Sequence, residues 1–263
     1  MAITIGTGVT ITGGMTFTGV SSSVIAMAHV ASPYISAYNW NSSTGFGSKF
    51  ADPAVLPAGT GYAIQFNSAN SAVVLGHGTT PFVAAYAWSN STGFGTKYSD
   101  PGTLPPSFSR GIAMSPNDTA VVTVGNSVGN FIYAYAWSNS TGFGTKYSNP
   151  ATQPNGVSQG VAWSPNGDAV AVAQTTTPYV TAYPWNNSTG FGSKYSDPGS
   201  LPTGTSYGVA WTANGDAIAV GQGSSGPYIN AYPWNSSTGF GSRYSNPATA
   251  LPSTCYNVTF NQV

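Results

Sequence analysis

The sequence predicts an all-β chain made of five copies of one four-stranded antiparallel unit, and three observations predict it. Ser-Thr-Gly-Phe-Gly recurs with its serine at Ser43, Ser91, Ser140, Ser188 and Ser237, in steps of 48, 49, 48 and 49 residues, and a fixed period of this size marks a repeat architecture. Within a unit, stretches such as GVAW and AVAVA alternate or run apolar over short spans, which is the pattern of strands. No long stretch carries a helical period, and 33 Gly and 19 Pro among 263 residues would interrupt one.

Taken in order, a unit opens on a first strand exemplified by GVAW, residues 160–163. SPNGD or TANGD then supplies a tight turn into a second strand, AVAVA. YVTAYPW, β-branched and aromatic, is the third strand. Tyr183 and Trp185 lie two apart and share one face of it, while Ala182 points to the other, so large residues on one sheet can interlock with small ones on the next. The tract NNSTGFG turns the chain, with Gly45, Gly93, Gly142, Gly190 and Gly239 available for a positive φ. KYS is expected as the fourth strand, followed by Asp-Pro or Asn-Pro and a Leu-Pro or Gln-Pro linker.

Short antiparallel sheets repeated about every 48 residues are the pattern of a β-propeller, in which each blade covers the faces of its neighbours. Five units predict five four-stranded blades. The C-terminal CYNVTFNQV matches the first strand of a unit, whereas the first unit begins at SSSVIAMAHV, a second strand. A ring closed by a terminal strand is therefore expected, with residues 256–261 completing blade one. This leaves residues 1–20 as an N-terminal arm and 21–263 as the propeller. GMTFTG, residues 14–19, is the alternative closing strand.

The turn-bearing segment at Val161, Ala162, Trp163, Ser164, Pro165, Asn166 and Gly167 resembles the hairpin of WD40-like propellers, without their Gly-His and Trp-Asp pairs. The whole cycle resembles propeller repeats of tailed-bacteriophage proteins, and the leader ITIGTGVTITGG is similar in style to segments of phage virion proteins. That resemblance implies a non-catalytic virion structural protein, a capsid decoration or tail or fibre-tip propeller on the particle surface. Its arm would dock on other virion proteins. A similarity of blade count to tachylectin-type propellers implies the alternative, a carbohydrate-binding lectin with repeated pockets for a host-surface glycan.

Composition narrows the classes. Six Lys and Arg balance six Asp, there is no Glu, and 5% of residues are charged, so no basic stripe tracks phosphates and nucleic acid is not an expected partner. No apolar run reaches the roughly 20 residues of a membrane helix, so no membrane insertion is expected. The opening residues lack a signal-peptide pattern, and the single Cys255 offers no internal disulfide.

Hydrolytic chemistry needs a nucleophile with a base, paired carboxylates or a metal cluster. The six Asp fall in two turns of the unit, where capping of backbone N–H groups is expected. No catalytic residue, metal or cofactor is expected, and the chain is read as not an enzyme. Lys49, Lys97, Lys146, Lys194 and Arg243 precede the Asp-Pro or Asn-Pro turn by three residues and are expected to be solvated. One position keeps its chemistry while its residue changes: His29, His77, Asn126, Gln174 and Gln222 each end a second strand, and each can donate and accept a hydrogen bond. They either tie down the neighbouring linker or form one polar contact of a ligand pocket, with Tyr62, Tyr207 or Tyr256 as stacking partners.

Overall fold

The computed structural model of the chain describes residues 23–126, 129, 131–223 and 226–261. The expected N-terminal arm and its alternative strand at 14–19 lie outside the described residues. Every regular element described is a strand, and the strands form one three-stranded and four four-stranded antiparallel sheets of β-propeller type. The first sheet holds β1 (Ser23–Ala28), β2 (Ile35–Asn41) and β3 (Gly45–Lys49); the second β4 (Gly61–Phe66), β5 (Ala72–His77), β6 (Val83–Ser89) and β7 (Gly93–Lys97). The third holds β8 (Ser109–Met114), β9 (Ala120–Gly125), β10 (Ile132–Ser138) and β11 (Gly142–Lys146). The fourth holds β12 (Ser158–Trp163), β13 (Ala169–Gln174), β14 (Val180–Asn186) and β15 (Gly190–Phe191), and the fifth β16 (Ser206–Trp211), β17 (Ala217–Gln222), β18 (Ile229–Asn235) and β19 (Gly239–Phe240).

The outer strand is not the expected Lys-Tyr-Ser. Pairing restarts at the turn glycine itself, which faces the residue after the tryptophan: Asn41 pairs with Gly45, and Asn186 with Gly190. The glycines at the five turns have φ of 81° to 85°, a left-handed conformation that lets the chain reverse within the Asn-Ser-Thr tract.

Large and small faces interlock between sheets as the residue spacing predicts. Tyr183 and Trp185 of the fourth sheet pack with Val122, Val124, Ile132 and Ala134 of the third, and Tyr232 and Trp234 of the fifth with Ala169, Ala171, Val180 and Ala182 of the fourth. Burying each such aromatic side chain contributes about 2–3 kcal/mol. The buried Tyr183 hydroxyl donates to the Thr152 carbonyl at 2.9 Å, so the ring enters the core without an orphaned polar group.

The expected hydrogen-bonded closure is not formed. Among the described residues β1 has no inner partner strand, and residues 255–261 are not in a strand. That segment nevertheless runs beside β16: the Cys255 amide donates to the Gln222 carbonyl at 2.9 Å, and a Cβ on Gly208 would lie 2.8 Å from the Asn257 Cα. The physical reason for the missing ladder is local. The Asn257 side-chain oxygen accepts the Val258 amide at 2.9 Å, and the Cys255 thiol donates to the Asn257 carbonyl at 3.0 Å. Side-chain bonds of this kind compete with strand pairing for the same backbone groups.

Candidate functional site

Each four-stranded sheet carries an irregularity at the second residue of its inner strand. Register shifts fall between Gly61 and Ala63, Ser109 and Gly111, Ser158 and Gly160, and Ser206 and Gly208. The residues in the shifts are Tyr62, Arg110, Gln159 and Tyr207. A bulged residue leaves the ladder and can be re-aimed, and all four line one axial cavity, together with Met27, Ala28, Tyr256 and Asn257. Tyr256 follows Cys255, whose amide bonds the end of the preceding second strand at Gln222 just as the Gly61 amide bonds His29. Tyr256 therefore stands at the equivalent position of the C-terminal segment.

The cavity is open to solvent and has a volume of about 480 Å³. Arg110 is the one charged side chain among the described residues that line it. Its guanidinium carbon lies 5.7 Å from the centre of the Tyr62 ring, a cation–π arrangement, while its Nε is buried without a hydrogen-bond partner. Tyr207 and Tyr256 sit with ring centres 5.0 Å apart. Tyr62 is 43% and Tyr256 71% exposed, so aromatic faces, the two amides of Gln159 and Asn257 and one guanidinium converge on a solvent-open mouth. Arg110 and Gln159 were missed by residue chemistry; aligning the units would have found them, because they occupy the position of the three tyrosines.

The position ending the second strand is placed elsewhere. His77, Gln174 and Gln222 are fully buried and His29 is half-buried. His29 donates through Nδ1 to the Ala31 carbonyl at 2.7 Å and meets Ser36 Oγ through Nε2 at 3.0 Å. Gln174 repeats this, donating to the Thr176 carbonyl at 3.1 Å and accepting from Thr181 Oγ1 at 2.9 Å. Gln222 instead holds the preceding linker, accepting the Thr203 amide and donating to Thr203 Oγ1, both at 2.9 Å. The residue that pairs across the sheet like His77 and Gln174 is Gly125; Asn126 falls one position beyond it and is exposed. Burial lowers the His77 pKa from 6.5, against opposing contributions from the Val83 backbone and Asp100.

The acidic turn residues cap backbone and hydroxyl groups. Asp118 accepts the amides of Ser68 and Ala69 at 2.8 and 2.9 Å, tying the third sheet to the turn of the second. Asp168 and Asp216 accept Ser164 Oγ and Thr212 Oγ1, each at 2.6 Å. The rim cations are paired rather than simply solvated. Lys49 bonds Asp52 at 2.5 Å, Lys97 bonds Asp100, Lys194 bonds Asp197, and Lys146 finds Asn149 at 2.6 Å. Such partly exposed pairs contribute under about 1 kcal/mol each.

No family model matches the chain, WD40 and phage families included, and no curated protein matches it. Its fold is similar to that of a candidate 6-phosphogluconolactonase from Bacteroides fragilis, at TM-score 0.66 and 11% identity over 90% of this chain and 70% of that one. A protein from Lactobacillus plantarum is similar at TM-score 0.64 and 11% identity, over 85% of this chain and 66% of that one. Both neighbours are longer, and their uncovered remainders leave room for sheets beyond five. The named neighbour is an enzyme candidate. The expectation of a non-catalytic virion structural protein, its lectin alternative and the reading as a non-enzyme are corrected accordingly: propeller sheets of this kind carry no implication of a particle component.

Proposed function

We propose that the protein binds and acts on a small organic anion at the axial mouth, with a phosphorylated sugar lactone as the substrate class to test first. The observation that supports this reading is the set of bulged residues, which presents Arg110 with a buried, unpartnered Nε among Tyr62, Gln159 and Tyr207. A guanidinium whose donors are not consumed by the protein is suited to a phosphate or carboxylate. Tyrosine rings give apolar faces for the C–H surface of a sugar-derived ring. The Gln159 amide can donate to a lactone carbonyl, whose oxygen gains negative charge as water adds, so a donor held there lowers the barrier. The lactone class comes from the neighbour's name; the anion preference comes from Arg110.

The finer architecture belongs to the same reading. The five sheets act as the blades of one ring, and residues 255–261 stand in the inner-strand place of the first sheet. Tyr256 then completes a mouth of five equivalent positions.

The test is hydrolysis of 6-phosphogluconolactone, followed by proton release above the spontaneous rate, with binding of 6-phosphogluconate by calorimetry. Arg110→Gln is expected to weaken binding by about 1.5–3 kcal/mol, the range for a hydrogen bond to a charged group. Binding undiminished in Arg110→Gln would remove the axial site from the reading, and no turnover with intact binding would leave a binding protein.

A further inference from the structure

The seam between the fifth and first sheets carries both halves of a lock that the other four seams have closed. At each of those seams, the aromatic residue after the outer strand lies edge-on to the tryptophan of the next sheet. Ring centres are 5.1 Å apart for Phe50 and Trp88, 5.3 Å for Tyr98 and Trp137, 4.8 Å for Tyr147 and Trp185, and 4.9 Å for Tyr195 and Trp234. Where that residue is tyrosine, its hydroxyl crosses the seam: Tyr98 donates to the Asn139 carbonyl and Tyr147 to the Asn187 carbonyl, each at 2.6 Å, and Tyr195 to the Ser236 carbonyl. The turn glycine completes the contact. A Cβ on Gly93, Gly142, Gly190 or Gly239 would lie 2.6 to 3.0 Å from the Cβ of that aromatic residue.

At the fifth seam the same parts are unengaged. Trp40 is 37% exposed where its four counterparts are 6% or 7%, and Tyr244 is 50% exposed. The nearest atom to a Cβ on Gly45 is its own sheet's Trp40, at 4.0 Å. We infer that this pair of faces is a binding surface whose occupant is the other end of the same chain. Tyr244 closes edge-on against Trp40, and its hydroxyl donates to the carbonyl of Ser42, the residue equivalent to Asn139 and Asn187. The halves are complementary in the sense the repeat requires, large face of the first sheet against small face of the fifth. Residues from both ends of the described chain already line one cavity, Met27 and Ala28 together with Tyr256 and Asn257, so the partner is within the molecule and no second copy is needed. The inference rests on the ring proposed above but not on its ligand.

Hydroxyl-radical footprinting of the unmodified protein reads the surface directly. Trp40 and Tyr244 are expected to oxidise at the rates of Trp88 and Tyr98; oxidation several-fold faster at both overturns the closure. A second measurement uses Gly45→Cys with Tyr244→Cys in a Cys255→Ser background, with Gly93→Cys and Phe50→Cys in that same background as the control at a closed seam. The expected result is a disulfide within the monomer for both pairs. A disulfide found only in dimers, or protection of Trp40 that disappears on dilution, overturns the inference in favour of a second copy. Neither readout depends on lactone turnover or anion binding, so failure here is distinct from failure of the functional reading.

Discussion

His77 shows how much one repeated position can tolerate. Its counterparts His29 and Gln174 each meet a hydroxyl, Ser36 or Thr181, where His77 has Ala84 across the equivalent register. Burial then lowers its pKa below 6.5, so the unfolded chain binds more protons than the folded one as pH falls through that value. Its contribution to stability is present above about pH 6.5 and lost on acidification. His77→Gln, which installs the residue of the fourth and fifth sheets, is expected to flatten the fall in Tm between about pH 7 and 5, measured by thermal denaturation across that range. Tyr183→Phe strands the Thr152 carbonyl and is expected to lower stability by about 1 kcal/mol, seen as a shifted denaturant midpoint at constant slope.

At the scale of the element, the outer hairpin is where the repeated motif has its meaning. The Asn of the tract accepts the tryptophan indole N–H in three sheets, at 2.8, 2.7 and 2.8 Å for Asn90, Asn139 and Asn187. One residue earlier, directly after the tryptophan, Asn41, Asn186 and Asn235 cap the turn amides at Ser43, Ser188 and Ser237. The glycine that follows meets the neighbouring sheet. Gly142→Ala must hold φ near 81° and place a methyl 2.6 Å from the Tyr98 Cβ, so a loss of about 2 kcal/mol or more is expected by denaturant titration. Gly45→Ala shares the backbone strain but not the collision as the structure stands. An equal loss at both sites is the outcome that closure of the fifth seam requires.

Across the whole molecule, stability rests on faces meeting between sheets rather than on one central core. Tyr86, Tyr135, Tyr183 and Tyr232 are fully buried at equivalent places, and burial raises all four phenol pKa values, that of Tyr232 to about 12. Above pH about 10 the unfolded chain gives up these protons and the folded one keeps them, so stability falls as pH rises. Alkaline unfolding is expected to be cooperative, with phenolate absorbance and loss of sheet dichroism rising together.

The unit, its period, its three inner strands and the interlock of Tyr and Trp with Ala were legible in the chain because they follow from side-chain alternation and turn chemistry within about 48 neighbouring residues. The register of the outer strand was not, since Gly-Phe-Gly reads as a turn until pairing shows it to be a strand start. The site was legible only in part: aligning the units puts Arg110 and Gln159 at the position of Tyr62, Tyr207 and Tyr256, but their chemistry differs, and only the bulges show that this position faces one mouth. The local patterning of strands and turns is thus determined by the sequence alone. Which side chains meet at the axis, and whether the ends engage, was decided by tertiary packing, because those contacts join residues one or more units apart.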